Sequence, residues 1–155
     1  MKTSLFAALG CVALLVASVM AEDKKEEGVK LEGVKCIVAG NKPANGAKSV
    51  EYKGAKVFFC CDGCPEAFKK DTAKFASKAN MQLVATGQAK QVACPLSGGK
   101  LNDATAIKVG TVEVKFCCEK CQGKAKDAKD AEQLELIFSD KAFDKGFKVT
   151  TAEKK

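Results

Sequence analysis

Eight of the nine cysteines fall into two groups with nearly the same spacing. Cys36 precedes Cys60, Cys61 and Cys64, and Cys94 precedes Cys117, Cys118 and Cys121. The lone cysteine leads its cluster by 24 residues in the first group and by 23 in the second. Inside each cluster a C-x-x-C pair, Cys61 with Cys64 and Cys118 with Cys121, has the tightest spacing at which two thiols share one ion. Cys60 and Cys64 converge when the first lies just before a helix and the second in its first turn. The free amide donors and partial positive charge of a helix N-terminus favour thiolate there. The remote Cys36, or Cys94, then closes the site from the other side. Adjacent side chains in an extended segment point to opposite sides, so Cys60 and Cys61 do not both reach one ion in the simplest geometry. Three sulfurs suit Cu(I) or another soft ion, and four suit Zn.

The rest of the composition narrows the chemistry. The chain of 155 residues contains no His and no Trp. Without His it lacks the usual general base near neutral pH and the usual nitrogen ligand for a metal. Any metal site is therefore built from sulfur, with carboxylate as the only other candidate. No carboxylate pair carries a motif that marks it as catalytic, so a binding protein is expected rather than an enzyme. The net charge is +7, and all 26 basic residues are Lys. Nucleic-acid readers and phosphate clamps rely on the planar Arg fork. Lysines spread along the chain among Asp and Glu read as a solubility coat, and nucleic acid is not an expected partner.

Met1-Lys2-Thr3 opens the chain, and an apolar run follows from Leu5 to Met20. The run is short for a membrane span. Val19-Met20-Ala21 offers compact residues for signal cleavage, so residues 1–21 are read as a secretory signal peptide. Retention of the run as an anchor is the weaker reading. No later segment is apolar enough to cross a bilayer, and the mature chain is expected to be secreted or periplasmic. Eight cysteines in an exported chain also fit four structural disulfides, which is the competing account.

The two cysteine groups belong to a duplication. Lys35-Cys36-Ile37-Val38-Ala39-Gly40-Asn41-Lys42 aligns with Ala93-Cys94-Pro95-Leu96-Ser97-Gly98-Gly99-Lys100. Val57-Phe58-Phe59-Cys60-Cys61-Asp62-Gly63-Cys64 aligns with Val114-Lys115-Phe116-Cys117-Cys118-Glu119-Lys120-Cys121. The chain therefore divides into a signal at 1–21, a charged linker at 22–32, a first repeat at 33–90, a second at 91–150 and a Lys-rich tail at 151–155. In each repeat a Gly/Pro-rich loop follows the lone cysteine. Two β-prone runs around a glycine then read as a hairpin: 49–52 with 56–59, and 106–109 with 112–116. A helix follows each cluster. In the first repeat Asp62 is placed to cap it, Pro65 suits its first turn, and Phe68, Thr72, Phe75 and Ala79 share a face. In the second repeat the apolar weight comes later, at Leu134, Leu136, Ile137, Phe138, Phe143 and Phe147. A helical stretch from Asn80 to Thr86, ended by Gly87, is expected to join the copies. The fold class is α+β. Modules this small bury little apolar surface, so a metal or a disulfide staple is expected in each.

The string Glu51-Tyr52-Lys53-Gly54-Ala55-Lys56-Val57-Phe58-Phe59-Cys60, followed by Cys64, Phe68, Asp71 and Phe75, resembles the YHS/TRASH family of small heavy-metal-binding modules. The resemblance implies two tandem treble-clef-like modules. It also implies Cys36, Cys60 and Cys64 as ligands in the first and Cys94, Cys117 and Cys121 in the second. The chain departs from the family pattern at several points. Ala47-Lys48-Ser49 stands where the tripeptide that names the family would be, and Thr72 replaces a Pro. Ala125 stands where the second copy would carry Phe, and the vicinal Cys61 and Cys118 are extra. These departures suggest a second copy that binds less tightly or serves as a structural partner. The expected function is capture, buffering or transfer of a copper, zinc or similar ion, with a metal-handling or envelope protein as the macromolecular partner. The alternative is a disulfide-stabilised extracytoplasmic binding or envelope-structural module without metal.

Overall fold

A computed structural model describes residues 29–150. The expected signal segment, linker residues 22–28 and the tail at 151–155 lie outside the described residues. The described chain is mixed α+β, with five helices and three two-stranded antiparallel sheets. The first hairpin consists of β1 (Asn45–Tyr52) and β2 (Ala55–Phe59), and two helices follow, α1 (Gly63–Lys70) and α2 (Thr72–Ala85). A short strand, β3 (Ala89–Gln91), leads to the second hairpin, β4 (Asn102–Val109) and β5 (Val112–Phe116). Helices α3 (Glu119–Asp127), α4 (Asp130–Phe138) and α5 (Asp140–Gly146) then precede β6 (Phe147–Val149). Among the described residues no helix is long and apolar enough to cross a membrane.

Both hairpins form where the sequence suggests, and the register shows why. In β5, Val112, Val114 and Phe116 are buried while Glu113 and Lys115 face outward, the period of a half-buried strand. Val50 pairs with Val57 in the first hairpin, and Ile107 pairs with Val114 in the second. The two-residue turn at Lys53-Gly54 has positive φ at both positions (51° and 77°), the backbone twist that hairpins favour. Both hairpins are irregular at their far ends, between Asn45 and Ser49 and between Asn102 and Ile107. In the second, Thr105 compensates: its buried Oγ1 accepts from the Phe116 N–H at 3.0 Å. The outer edges are covered by side-chain amides rather than by further strands. Gln88 accepts from the Lys56 N–H and donates to its carbonyl, each at 2.7 Å, and Gln82 and Gln91 act likewise on Phe58 and Lys115.

The helices depart from the expected pattern in three ways. Phe68, Thr72, Phe75 and Ala79 do not lie on one continuous helix. The chain breaks at Asp71 (φ −142°, ψ 68°), whose carboxylate accepts from the Lys74 N–H at 3.2 Å and caps α2. Phe68 and Phe75 still meet across the break, with ring centroids 6.5 Å apart. Asp62 stands at the N-cap of α1 but accepts no backbone N–H; it pairs with Lys48 instead. Finally, residues 80–86 are not a separate connecting helix. Residues 80–85 are helical as expected but form the end of α2, with Thr86 as its C-cap; α2 packs on β2, β3, α4 and α5 and buries Ala76, Ala79, Asn80, Gln82 and Leu83.

Strands β3 and β6 were not foreseen. They pair antiparallel, Ala89 with Val149 and Gln91 with Phe147, and so join the end of the first copy to the end of the second. Phe147, expected on a helical run, instead leaves α5 in extended conformation and stacks on Phe138 and Phe143, each at 5.4 Å between centroids. Such aromatic pairs contribute about 0.5–1.5 kcal/mol each beyond area burial. One apolar cluster runs through both copies, from Phe59, Phe68 and Leu83 to Phe116, Ile137, Phe138 and Phe147. The two halves therefore share a core, which relieves the burial deficit of each small half.

Candidate metal centre

Each lone cysteine starts a tight turn. The Cys36 carbonyl accepts from the Gly40 N–H at 2.8 Å, and the Cys36 N–H donates to the Lys42 carbonyl at 2.9 Å. The Cys94 carbonyl accepts from the Gly98 N–H at 2.7 Å, and the Cys94 N–H donates to the Gly99 carbonyl at 2.9 Å. Gly40 (φ 73°) and Gly98 (φ 76°) close these turns in the left-handed region, where a side chain is costly. This explains the glycine four residues after each lone cysteine. The turn carries the thiol inward: Cys36 is 1 % exposed and Cys94 0 %.

The clusters arrive from the opposite direction. Buried Phe59 and Phe116 anchor the last residues of β2 and β5, so Cys60 and Cys117 leave the strands at a fixed place. Cys64 and Cys121 lie in the first turns of α1 and α3. The Sγ atoms of Cys36, Cys60 and Cys64 lie within 4.8 Å of one another, and so do those of Cys94, Cys117 and Cys121. Cys60 and Cys64 sulfurs are 3.8 Å apart, and Cys117 and Cys121 sulfurs 3.7 Å. A metal–sulfur bond of about 2.3 Å requires sulfurs around one ion to stand roughly 3.8–4.0 Å apart. Two Cys triads are thus close enough to hold a metal ion, and their donor set is all sulfur.

The vicinal cysteines stand outside both triads. Cys61 and Cys118 are exposed. The Cys61 sulfur is 3.3 Å from that of Cys64, and the Cys118 sulfur is 3.6 Å from that of Cys117. All eight cysteines among the described residues are free thiols.

The thiols differ in how readily they ionise. Burial pushes the Cys36 thiol up, but the N–H groups of Ala39, Cys60 and Val38 outweigh it and the net shift is down. Burial likewise opposes ionisation of Cys94, yet the Ser97 hydroxyl and the N–H groups of Ser97 and Cys117 bring it to about 7. Cys64 is pushed up by burial and then by Cys61, Cys36 and Cys60 around it. Cys121 is pushed up to about 12 by burial and by Cys117 and Cys118. In each triad the lone cysteine is shifted toward the thiolate and the cysteine in the helix's first turn toward the thiol, because sulfurs in contact disfavour one another's ionisation.

The two centres differ in their surroundings. Around the first, Tyr52 meets Phe68 edge-on at 5.5 Å and Phe59 lies 5.6 Å from Phe68. In the second, Ala125 stands at the position of Phe68 and is fully buried. There the Ser97 hydroxyl, 3.1 Å from the Cys117 sulfur, joins the site from the Cys94 turn. Sequence reasoning passed over Ser97, although its place three residues after Cys94 put it in that turn. It also passed over Gln82 and Gln91. Gln82 had a signal, since it interrupts the apolar run Met81-Gln82-Leu83-Val84 on a helix.

Tyr52 and Lys53 tie the first hairpin to α5. Tyr52 donates to Asp140 at 3.1 Å, and Lys53 pairs with Asp140 at 2.9 Å and Asp144 at 3.0 Å. The ammonium of Lys53 also lies 5.1 Å from the centre of the Phe143 ring. No protein-family model, curated protein or solved structure matches the chain.

Proposed function

We propose that the chain is an exported metal-binding protein of two tandem treble-clef-like modules of the YHS/TRASH kind. It captures, buffers or hands over a soft or borderline ion, copper or zinc, through thiolates. One observation carries this reading: in each half a buried thiol on a glycine-closed turn meets two cluster thiols within 4.8 Å. Three thiols without His or carboxylate favour a soft cation. The thiols must give up their protons to bind it, so uptake releases protons and weakens in acid. Cys61 and Cys118, exposed beside the triads, are the thiols through which an ion enters and leaves by ligand exchange, with a metal-handling or envelope protein as donor or acceptor. The role is binding rather than catalysis.

The test is native mass spectrometry of the chain without the signal segment, with and without reductant, alongside elemental analysis. Two bound ions and free thiols support the proposal. Removing one triad member in each half, Cys64→Ser and Cys121→Ser, should each lower the stoichiometry by one. Four closed disulfides and no bound element would replace it with a disulfide-stabilised module.

A further inference from the structure

Two glutamines occupy the same place relative to the two triads, although different elements supply them. Gln82, on α2, is 3 % exposed. Its Nε2 donates at 3.0 Å to the carbonyl of Lys35, the residue before Cys36, and at 3.0 Å to the carbonyl of Phe58. Its Oε1 accepts from the Phe58 N–H at 2.7 Å. Phe58 stands two residues before Cys60. Gln91, at the end of β3, makes the same three hydrogen bonds in the second half. Its Nε2 donates to the carbonyl of Ala93, the residue before Cys94, at 3.3 Å and to the carbonyl of Lys115 at 2.7 Å. Its Oε1 accepts from the Lys115 N–H at 2.9 Å. Lys115 stands two residues before Cys117.

The duplication does not account for this match. Gln82 follows the cluster of its own half, whereas Gln91 precedes the lone cysteine of its half by three residues. The residue three before Cys36 is Gly33, and Ser139 follows Cys121 by the interval that separates Gln82 from Cys64. Neither glutamine is thus repeated at its own equivalent position, yet the backbone atoms they hold are equivalent. What the two halves share is a requirement for the clamp.

That requirement follows from how each site is assembled. The lone cysteine and its cluster arrive on separate segments. A side-chain amide has two donors and an acceptor, enough to hold the outer edge of a strand and the carbonyl before a turn together. We infer that Gln82 and Gln91 are positioning residues of the two thiol centres, each setting the separation between the lone sulfur and its cluster. The inference rests on the metal-binding reading and adds what holds the triads at ligand spacing before an ion arrives. Hydrogen-bonding partners behind metal ligands typically change affinity by about 10–100-fold when removed.

The experiment uses the full chain in two backgrounds. Cys94→Ser, Cys117→Ser and Cys121→Ser together leave only the first centre; Cys36→Ser, Cys60→Ser and Cys64→Ser together leave only the second. Gln82→Met and Gln91→Met, similar in length but unable to make these bonds, are placed in each. Zn(II) and Cu(I) affinities are each read by competition with a chromophoric chelator, and the ion that binds supplies the comparison. Gln82→Met should weaken the first centre about 10-fold or more and leave the second within about twofold, and Gln91→Met should do the reverse. Equal weakening of both centres by either variant, or of neither, overturns the inference, because a general loss of stability does not choose between sites. Should the buried Gln82→Met prevent folding, Gln91→Met on its half-exposed strand decides the matter alone. Absence of both Zn(II) and Cu(I) binding with both glutamines intact would instead refute the metal-binding reading, and this inference with it.

Discussion

Adding one methyl group at Gly146 should disturb the second thiol centre and spare the first. Gly146 ends α5, and its carbonyl accepts from the N–H groups of Val92 at 2.8 Å and Ala93 at 3.1 Å. A Cβ built there would stand 2.8 Å from Pro95 Cα, 3.0 Å from the Ala93 carbonyl oxygen and 3.0 Å from Pro95 Cβ. Two of the three obstacles are backbone atoms, and both flanking residues adjoin Cys94. Neither can rotate away, so α5 and the Cys94 turn must separate. Overpacking of this kind costs about 1–3 kcal/mol. Ala in place of Gly in a helix returns roughly 0.5–1 kcal/mol, so the net loss is on the order of 1 kcal/mol. If the strain falls on the ligated geometry, every 1.4 kcal/mol corresponds to about tenfold weaker binding. The assay pairs urea denaturation of the ion-free Gly146→Ala chain with Zn(II) competition in the two single-centre backgrounds. Unchanged stability, or equal weakening at both centres, would show that the contact with Pro95 does not govern the Cys94 turn.

Three further outcomes can be checked. Cys61→Ser and Cys118→Ser should keep the full ion count yet slow transfer to a competing thiol chelator, read by stopped flow; a lost ion would make them obligatory ligands, and an unchanged rate would remove their role in exchange. Asp140 lies below the usual carboxylate range: burial raises it, but hydrogen bonds from Asn80, Lys53 and Tyr52 and the charge of Lys53 prevail. Its stabilisation is therefore present above the ordinary carboxylate value and is lost as pH falls through the lower folded value. Because the side chain is 56 % exposed, the contribution is expected to stay under about 1 kcal/mol. The melting-temperature gap between the wild type and Asp140→Asn should close between pH 7 and strongly acidic solution; a gap that persists in acid would contradict this. Ala125→Phe, which restores the residue of the first copy, should destabilise by about 1–3 kcal/mol in urea, because Ala125 is already fully buried. A neutral result would reveal unused space beside α3.

What the sequence revealed was local. Alternation in Val112-Glu113-Val114-Lys115-Phe116 and the Lys53-Gly54 turn mark the hairpins because period and turn chemistry lie within a few residues. The glycines four residues after Cys36 and Cys94 mark turns for the same reason. What escaped was set by distant partners. Ala89-Lys90-Gln91 and Phe147-Lys148-Val149 are too short to show a period, and they become strands only by meeting each other. The run from Phe68 to Ala79 matched one helical face, but the capping carboxylate of Asp71 prevailed over continuity. Gln82 stands out as a polar break in an apolar helical run, but its partner, the edge of β2, is not legible from the sequence. The spacing of the cysteines suggested which thiols meet, whereas the differing ionisation of Cys94 and Cys121 depends on Ser97 and on burial.

The β3–β6 pair also fixes an order of events during synthesis. The parts of the first centre, from Cys36 to Gln82, have all left the ribosome before any of the second centre's cysteines. Gln91 sits on a strand whose partner, residues 147–149, emerges only after α5 has been made. The strand that carries Gln91 therefore gains its pairing partner only once residues 147–149 are present, whereas every cysteine of the first triad and its glutamine lie within residues 36–82.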